Sequence, residues 1–362
     1  MKAIILVGGE ATRLRPLTCN TPKAMVPVLN TPILEHVIRY LIQHQVTEIV
    51  LALSQCQQSI ESYFGDGSQF GVKLHYSIEN TPLGTGGAVK NAEKYLDETF
   101  LMLNGDIFTD LDITAMMKLH RDREAKITIA RTPVEDPTSY GLIEADNQGR
   151  ITRFIEKPSP NEITTNLINA GTYIIEPDIL THIPPQVNFS IEHGLFVTLP
   201  NPTIPAWVYD YFTYWIDIGA PEKYLQLHRD LLNGKNSRYT PPPKSLIGKQ
   251  SHIHPTAQID GPVVIGDNCS IESKVKLTGP VVIGSGCTIQ PEAVIEDSVI
   301  WNDVQVGSGA VVKSCALANN CHLNADCIVQ GSSLGDNVVI IGGCQLKPDS
   351  KIWPGTRVKA DT

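Results

Sequence analysis

Ile259-Asp260-Gly261-Pro262-Val263-Val264-Ile265-Gly266-Asp267-Asn268-Cys269-Ser270-Ile271 places an aliphatic residue at every sixth position. The period extends outward in both directions. Ile253, Ile259, Ile265, Ile271, Leu277, Ile283, Ile289, Ile295 and Trp301 follow it. After a slip of phase so do Val311, Leu317, Leu323 and Val329, and after a second slip Leu334, Ile340, Leu346, Ile352 and Val358. Neither an α-helix nor an ordinary strand has this period, whereas a hexapeptide β-helix does. Three hexads make one coil, and stacked coils bury one aliphatic column per side. Gly266, Gly284 and Gly335 stand at expected corners, where the backbone must turn. Cys269, Cys287, Cys315, Cys321, Cys327 and Cys344 each lie two residues before a column aliphatic. That slot suits a small, half-buried side chain, so these thiols read as packing residues and not as a metal or redox cluster.

The chain ahead of the repeats has a different rhythm. Lys2–Val7, Glu48–Ser54 and Thr99–Leu103 read as apolar strands, with helical segments at 32–42 and near 55–64. Strands alternating with helices predict a mostly parallel sheet, in which ligands sit at the carboxyl ends of the strands. Residues 236–247 are polar and proline-rich and read as a linker. The expected organisation is an α/β domain over 1–235, the linker, and a β-helix over 248–362.

Composition narrows the function. The formal net charge is −9, whereas a nucleic-acid binder normally shows a basic stripe. The apolar run Ala3–Val7 is too short for a signal peptide or a membrane span, and no later run is long enough to span a membrane. A cytoplasmic protein that binds neither nucleic acid nor membrane is expected, with its eight cysteines reduced.

Against that acidic background residues 1–25 carry Lys2, Arg13, Arg15 and Lys23 with Glu10 alone opposing them. Within this segment Gly8-Gly9-Glu10-Ala11-Thr12-Arg13-Leu14-Arg15-Pro16-Leu17-Thr18 follows the first strand. Small residues there let backbone N–H groups approach phosphate oxygens. The segment is neither a Walker A loop nor a dinucleotide G-x-G-x-x-G turn. Gly8 to Thr18, followed by Pro22-Lys23 and Pro27, resembles the signature of the sugar-1-phosphate nucleotidyltransferases. The resemblance runs over residues 1 to about 232. The hexapeptide tail is similar to that of the mannose-1-phosphate guanylyltransferase branch, and left-handed coiling is implied by that similarity. The fold it implies is a Rossmann-like, mostly parallel α/β domain followed by a left-handed parallel β-helix. The family usually has glycine where this chain has Ala11.

The resemblance assigns residues one by one. It implies that Arg13 grips the triphosphate and Lys23 steadies the α-phosphate. Asp106, in Leu103-Asn104-Gly105-Asp106, and Asp217, in Trp215-Ile216-Asp217-Ile218-Gly219, match the Mg²⁺ ligands. Leu6, Gly8, Gly9, Gly84 and Thr85 match the nucleotide site; Gly141, Glu156, Lys157 and Asn169 match the sugar-phosphate pocket. The implied reaction is in-line attack of a sugar 1-phosphate oxygen on the α-phosphorus of a nucleoside triphosphate. Both partners are anions, so the chemistry needs cations and hard-oxygen metal ligands more than a covalent nucleophile.

Glu79 bears on the base. It lies five residues before the base loop, at a family position that often holds glutamine in uridylyl and thymidylyl enzymes. A carboxylate is acceptor-only and can take both guanine donors, N1–H and N2–H. GTP is therefore favoured; mannose is implied by resemblance only. Glucose-1-phosphate thymidylyl-, uridylyl- or adenylyltransferase is the alternative. Less favoured are an acyltransferase-type bifunctional enzyme, for which no histidine-bearing loop interrupts the repeats, and a non-catalytic nucleotide-sugar sensor. The open ends of a β-helix also lead us to expect a homo-oligomer formed through that domain.

Overall fold

A computed structural model describes residues 1–9, 11–54, 58–242 and 245–359. The packing divides into two compact units. The first comprises residues 1–9 and 34–215; the second comprises residues 10–33 and 216–362. Residues 10–33 and 216–235, read above as part of the α/β domain, thus cluster with the repeats.

The first unit is built on a sheet of nine described strands. Lys2–Leu6 lies in the middle, parallel to Glu48–Leu53 on one side and Phe100–Asn104 on the other. Its Ala-Ile-Ile core is fully buried, as expected of a strand covered on both faces. Glu48–Leu53 pairs in parallel with Lys73–Ile78. Beyond Phe100–Asn104 the sheet turns antiparallel: Leu167–Ile175 pairs with it and with Ile127–Pro133. Helix Ile33–Gln43 starts one residue later than the sequence predicts. The helix expected near 55–64 is present from Gln58 to Phe64, and residues 55–57 lie outside the described residues.

The repeats of the second unit form three parallel ladders, the three faces of a β-helix. On one face Ile265, Ile283, Ile300, Leu317, Leu334 and Ile352 stack in register. A second stacks Ile271, Ile289, Val306, Leu323 and Ile340, and the third Leu277, Ile295, Val312 and Val329. These columns meet in one apolar core. Ser245–Ile247, at the end of the stretch read as linker, is the opening strand of the first face.

Two column assignments from the sequence need correction. Ile283 pairs with Ile300, seventeen residues on, so this coil is one residue short. Ile300 enters the core, and Trp301 moves out to the corner that follows it. Likewise Val312, not Val311, faces inward. A strict count of sixes cannot see a coil that drops a residue at a turn, because the neighbouring residue is also apolar. The cysteines keep their expected slot. All six repeat cysteines are buried. Thiols donate to carbonyls of neighbouring turns, Cys269 to Gly284 at 3.0 Å, Cys287 to Trp301 at 3.0 Å and Cys321 to Gly335 at 3.2 Å.

Candidate active site

In the first unit a cavity of about 260 Å³ opens beside Leu6, at the carboxyl end of the central strand. Leu6, Gly8, Gly9, Glu79, Gly84 and Thr85 all line it, so the structure brings these predicted nucleotide residues together. Ala52, Ser54, Pro82, Ala88 and Asn188 complete the wall.

Glu79 is only 7% exposed, and its Oε2 accepts from the Leu83 N–H at 2.9 Å. Burial pushes its carboxyl above the usual glutamate range, and the Leu83 hydrogen bond pulls it partly back. Gly84 opens helix Gly84–Asn91 with φ +70°, and a Cβ there would lie 2.9 Å from the Phe189 carbonyl. The conformation and the close backbone both require glycine. The amides of Gly86 and Gly87 donate to that same carbonyl at 2.9 and 3.0 Å.

Thr85 lies on the cavity wall with its hydroxyl already engaged. It donates to Glu192 Oε2 at 2.6 Å and accepts from the Ile191 N–H at 2.9 Å. Ser190 Oγ donates to the same Glu192 oxygen at 2.8 Å, and Asn188 Nδ2 donates to the Pro82 carbonyl at 3.1 Å. The base loop is therefore fastened to residues 188–192, about a hundred positions later. Nothing local in the sequence marks Asn188 or Glu192 for this role.

Gly141 and Glu156 face each other across two antiparallel strands. A Cβ on Gly141 would fall 2.8 Å from Glu156 Oε2 and 2.7 Å from the Phe154 ring, which explains the glycine. Burial raises the Glu156 carboxyl above its ordinary range; the charge of Glu192 raises it further, and Lys157 pulls it down. Lys157 is exposed and adopts a left-handed φ of 50°, an uncommon conformation for a side chain with a Cβ. Both ends of the Asn169 amide are used: Oδ1 accepts from Gly171 N–H at 3.0 Å, and Nδ2 donates to the buried Tyr173 hydroxyl at 2.8 Å. Trp215 Nε1 donates to the Ala170 carbonyl at 3.0 Å and its ring meets Tyr140 edge-on. Asp106 follows Gly105, whose N–H donates to the Leu6 carbonyl at 2.9 Å. The half-buried Asp106 therefore sits just past the end of the central strands.

Arg13, Lys23 and Asp217 belong to the second unit. Arg13 is exposed on the short turn Thr12–Leu14, and Lys23 opens the turn Lys23–Met25. Asp217 is 6% exposed and its Oδ1 accepts from the Lys223 ammonium, a partner the sequence reading missed. Gly219 sits between Asp217 and Arg13. A Cβ there would be 2.6 Å from Asp217 Oδ2 and 2.9 Å from Arg13 Nη2. Ala11 takes the left-handed conformation, φ 46° and ψ 38°. This gives a physical reason for glycine at that position in similar chains, since a Cβ there costs about 1–2 kcal/mol. The turn closes nonetheless, with the Ala11 carbonyl accepting from Thr18 Oγ1 at 2.9 Å and from Leu14 N–H at 3.1 Å. No described helix is long and apolar enough to cross a membrane.

Residues 2–234 match the nucleotidyl transferase family, and residues 246–346 match the LbH (left-handed β-helix) domain of EIF2B subunit epsilon. The chain belongs to the nucleotidyl transferase family, with a left-handed β-helix appended to its catalytic fold. It is 30% identical to a mannose-1-phosphate guanylyltransferase of Mycobacterium tuberculosis, over 98% of this chain and 94% of that protein. It is 36% identical to a mannose-1-phosphate guanyltransferase of Candida albicans, over 97% of both. A UTP–glucose-1-phosphate uridylyltransferase of Synechocystis is 36% identical over 86% of this chain and 85% of its own length. Among solved structures, HddC from Yersinia pseudotuberculosis complexed with GMP-PN superposes with a TM-score of 0.53 at 33% identity. That match covers 62% of this chain and 97% of HddC.

Proposed function

We propose that this protein transfers the guanylyl group of GTP to mannose 1-phosphate, giving GDP-mannose and pyrophosphate. The observation that carries this reading is the buried Glu79 carboxylate on the wall of the cavity shared by Leu6, Gly8 and Gly9. Oε2 already accepts from Leu83, but a carboxylate has about four acceptor sites, and those left can take the two guanine donors. Uracil offers one donor flanked by acceptor oxygens, which a buried carboxylate repels. The named guanylyltransferase relatives support the same base and supply the case for mannose.

Each residue has a role in this reading. Arg13 and Lys23 hold the triphosphate. Lys157 neutralises the incoming sugar phosphate, and Glu156 accepts sugar hydroxyls. Gly141 leaves room beside Glu156, and Asn169 is oriented by Tyr173 and Gly171. A phosphate oxygen of the sugar forms the new bond to the α-phosphorus as the bond to pyrophosphate breaks. No side chain is covalently modified, so positioning and charge stabilisation account for the rate. Asp106 and Asp217 are the Mg²⁺ ligands in this reading, and their hard carboxylate oxygens fit that ion. Mg²⁺, when bound, supplies neutralisation of the triphosphate charge.

Incubation with Mg²⁺, GTP and mannose 1-phosphate, followed by chromatography, tests the reading. GDP-mannose is the expected product; its absence under conditions where another nucleotide pair reacts would overturn the assignment. Self-association through the β-helix belongs to the same reading. Leu246 and Ile247 in the opening coil and Trp353 near the end are the exposed apolar side chains such contacts would cover. Sedimentation as a monomer at micromolar concentration would contradict it.

A further inference from the structure

Trp301 stands in a corner column that carries small residues in the coils on either side of it, and it is buried, unlike the exposed Trp353 that follows Ile352 in the same column. Gly266, Gly284, Trp301, Ala318 and Gly335 occupy one corner, each N–H donating to the carbonyl that ends the next strand of that face. A large ring buried between small residues calls for a partner, and the second unit supplies one. The Trp301 indole N–H donates to the Tyr224 hydroxyl at 2.9 Å, and that hydroxyl donates to the Pro27 carbonyl at 2.5 Å. Tyr224 is fully buried on helix Pro221–Leu232, between the corner and the segment carrying Lys23.

Other contacts in the same unit run parallel to this relay. His228, one helical turn after Tyr224, donates through Nδ1 to the Tyr224 carbonyl at 2.9 Å. Its Nε2 accepts from the Leu29 N–H at 3.2 Å, so the ring joins the helix to the segment after Pro27. Arg229 makes a paired hydrogen bond to Asp297 at 2.7 and 2.6 Å. Asn30 Nδ2 donates to the Ile283 carbonyl at 2.8 Å, and Asn20 Nδ2 to Asp336 at 3.1 Å. Ile283, Trp301 and Asp336 lie along the same side of the β-helix, in the coils of Ile283, Ile300 and Leu334. The segment 20–30 is thus fastened along that side at several levels.

We propose that Trp301 and Tyr224 are positioning residues for nucleotidyl transfer: the β-helix corner, through the Trp301–Tyr224–Pro27 relay, sets the place of the segment bearing Lys23 and Arg13. The inference rests on the proposed roles of those two cations. Its consequence is that the repeats contribute to turnover, beyond any part in assembly.

The test uses the full-length chain with Trp301→Phe and Tyr224→Phe, which keep an aromatic side chain at each position and remove the Trp301–Tyr224 hydrogen bond. Val329→Ala, on a different face and in the buried core, serves as a stability control. Misplaced catalytic groups cost up to about 10²-fold. Both relay variants should lose about ten- to a hundredfold in kcat, and peptides spanning 20–32 should exchange amide hydrogens faster. Val329→Ala should lower the melting temperature while keeping wild-type kcat and exchange in 20–32. Relay variants with wild-type kcat, or a kcat loss in Val329→Ala matching theirs, would overturn the inference. Arg13→Ala and Lys23→Ala separate the two readings. If they retain turnover, the roles assigned to the cations are wrong. If they abolish it while the relay variants keep wild-type kcat, the relay alone is wrong.

Discussion

Oε2 of Glu79 accepts the Leu83 N–H at 2.9 Å, which ties the acid of the base cavity to the loop that begins at Gly84. The carboxylate is thereby part of the wall and, in the proposed reading, the group that meets the base. In Glu79→Gln the amide oxygen can keep the Leu83 bond, which turns the NH₂ toward the guanine donors. A hydrogen bond to a charged group contributes about 1.5–3 kcal/mol, so kcat/KM for GTP should fall by about ten- to a hundredfold and that for UTP by less. An unchanged GTP-to-UTP ratio would contradict the assignment.

The same residue gives a pH signature. Burial raises the Glu79 carboxyl in the folded protein, so folding favours its protonated form. That contribution is fully present below the unfolded carboxylate range and is lost as pH rises through the folded value. At neutral pH the ionised Glu79 therefore costs stability, and Glu79→Gln should melt higher than wild type. Guanine binding needs the ionised form, so the acid limb of kcat/KM for GTP should lie above the ordinary glutamate range and vanish in the variant. A melting temperature at neutral pH below that of wild type would contradict this.

Asp106→Asn and Asp217→Asn keep shape and remove a charge. Each should lower kcat by about 10²–10³ and raise the Mg²⁺ concentration needed for half-maximal rate. If the two serve one ion, the double variant should be far less than multiplicatively worse. Asp217→Asn removes the ion pair with Lys223 but keeps an acceptor oxygen for it, and the 41% exposed Lys223 side chain can also turn to solvent, so the melting temperature should move little. Near wild-type turnover in Asp106→Asn would remove that residue from the mechanism.

Register in the β-helix has its own test. Val312 is fully buried in the core, and Val311 is only partly buried beside it. Val312→Ala should cost about 2 kcal/mol of stability from lost burial and the cavity left behind. Val311→Ala should cost less than half as much. Chemical denaturation of both variants checks this, and the reverse order would restore the register counted from the sequence.

These residues also show where sequence reading succeeds and where it stops. The repeat was legible because eighteen-residue coils return the same aliphatic to the same face, as Ile265 to Ile283. It failed at Trp301 and Val311 because a shortened coil shifts the column by one residue between apolar neighbours. Leu6, Gly8, Gly9, Glu79, Gly84 and Thr85 were legible through the resemblance to the family, and the fold gathers them around one cavity. Glu192, Asn188 and Lys223 were not, since their meaning lies in contacts with Thr85, Pro82 and Asp217 that only the folded chain creates. Ala11 was visible as a departure, but the left-handed backbone that explains it was not.

The most direct test of the central claim is the ratio of kcat/KM for two substrate pairs in a pyrophosphate-release assay with Mg²⁺. One pair is GTP with mannose 1-phosphate; the other is UTP with glucose 1-phosphate. Leaving the buried Glu79 carboxylate without its donors should cost at least about 10²-fold in discrimination, so the first pair should exceed the second by that factor. A ratio near one, or a preference for UTP and glucose 1-phosphate, would contradict the account.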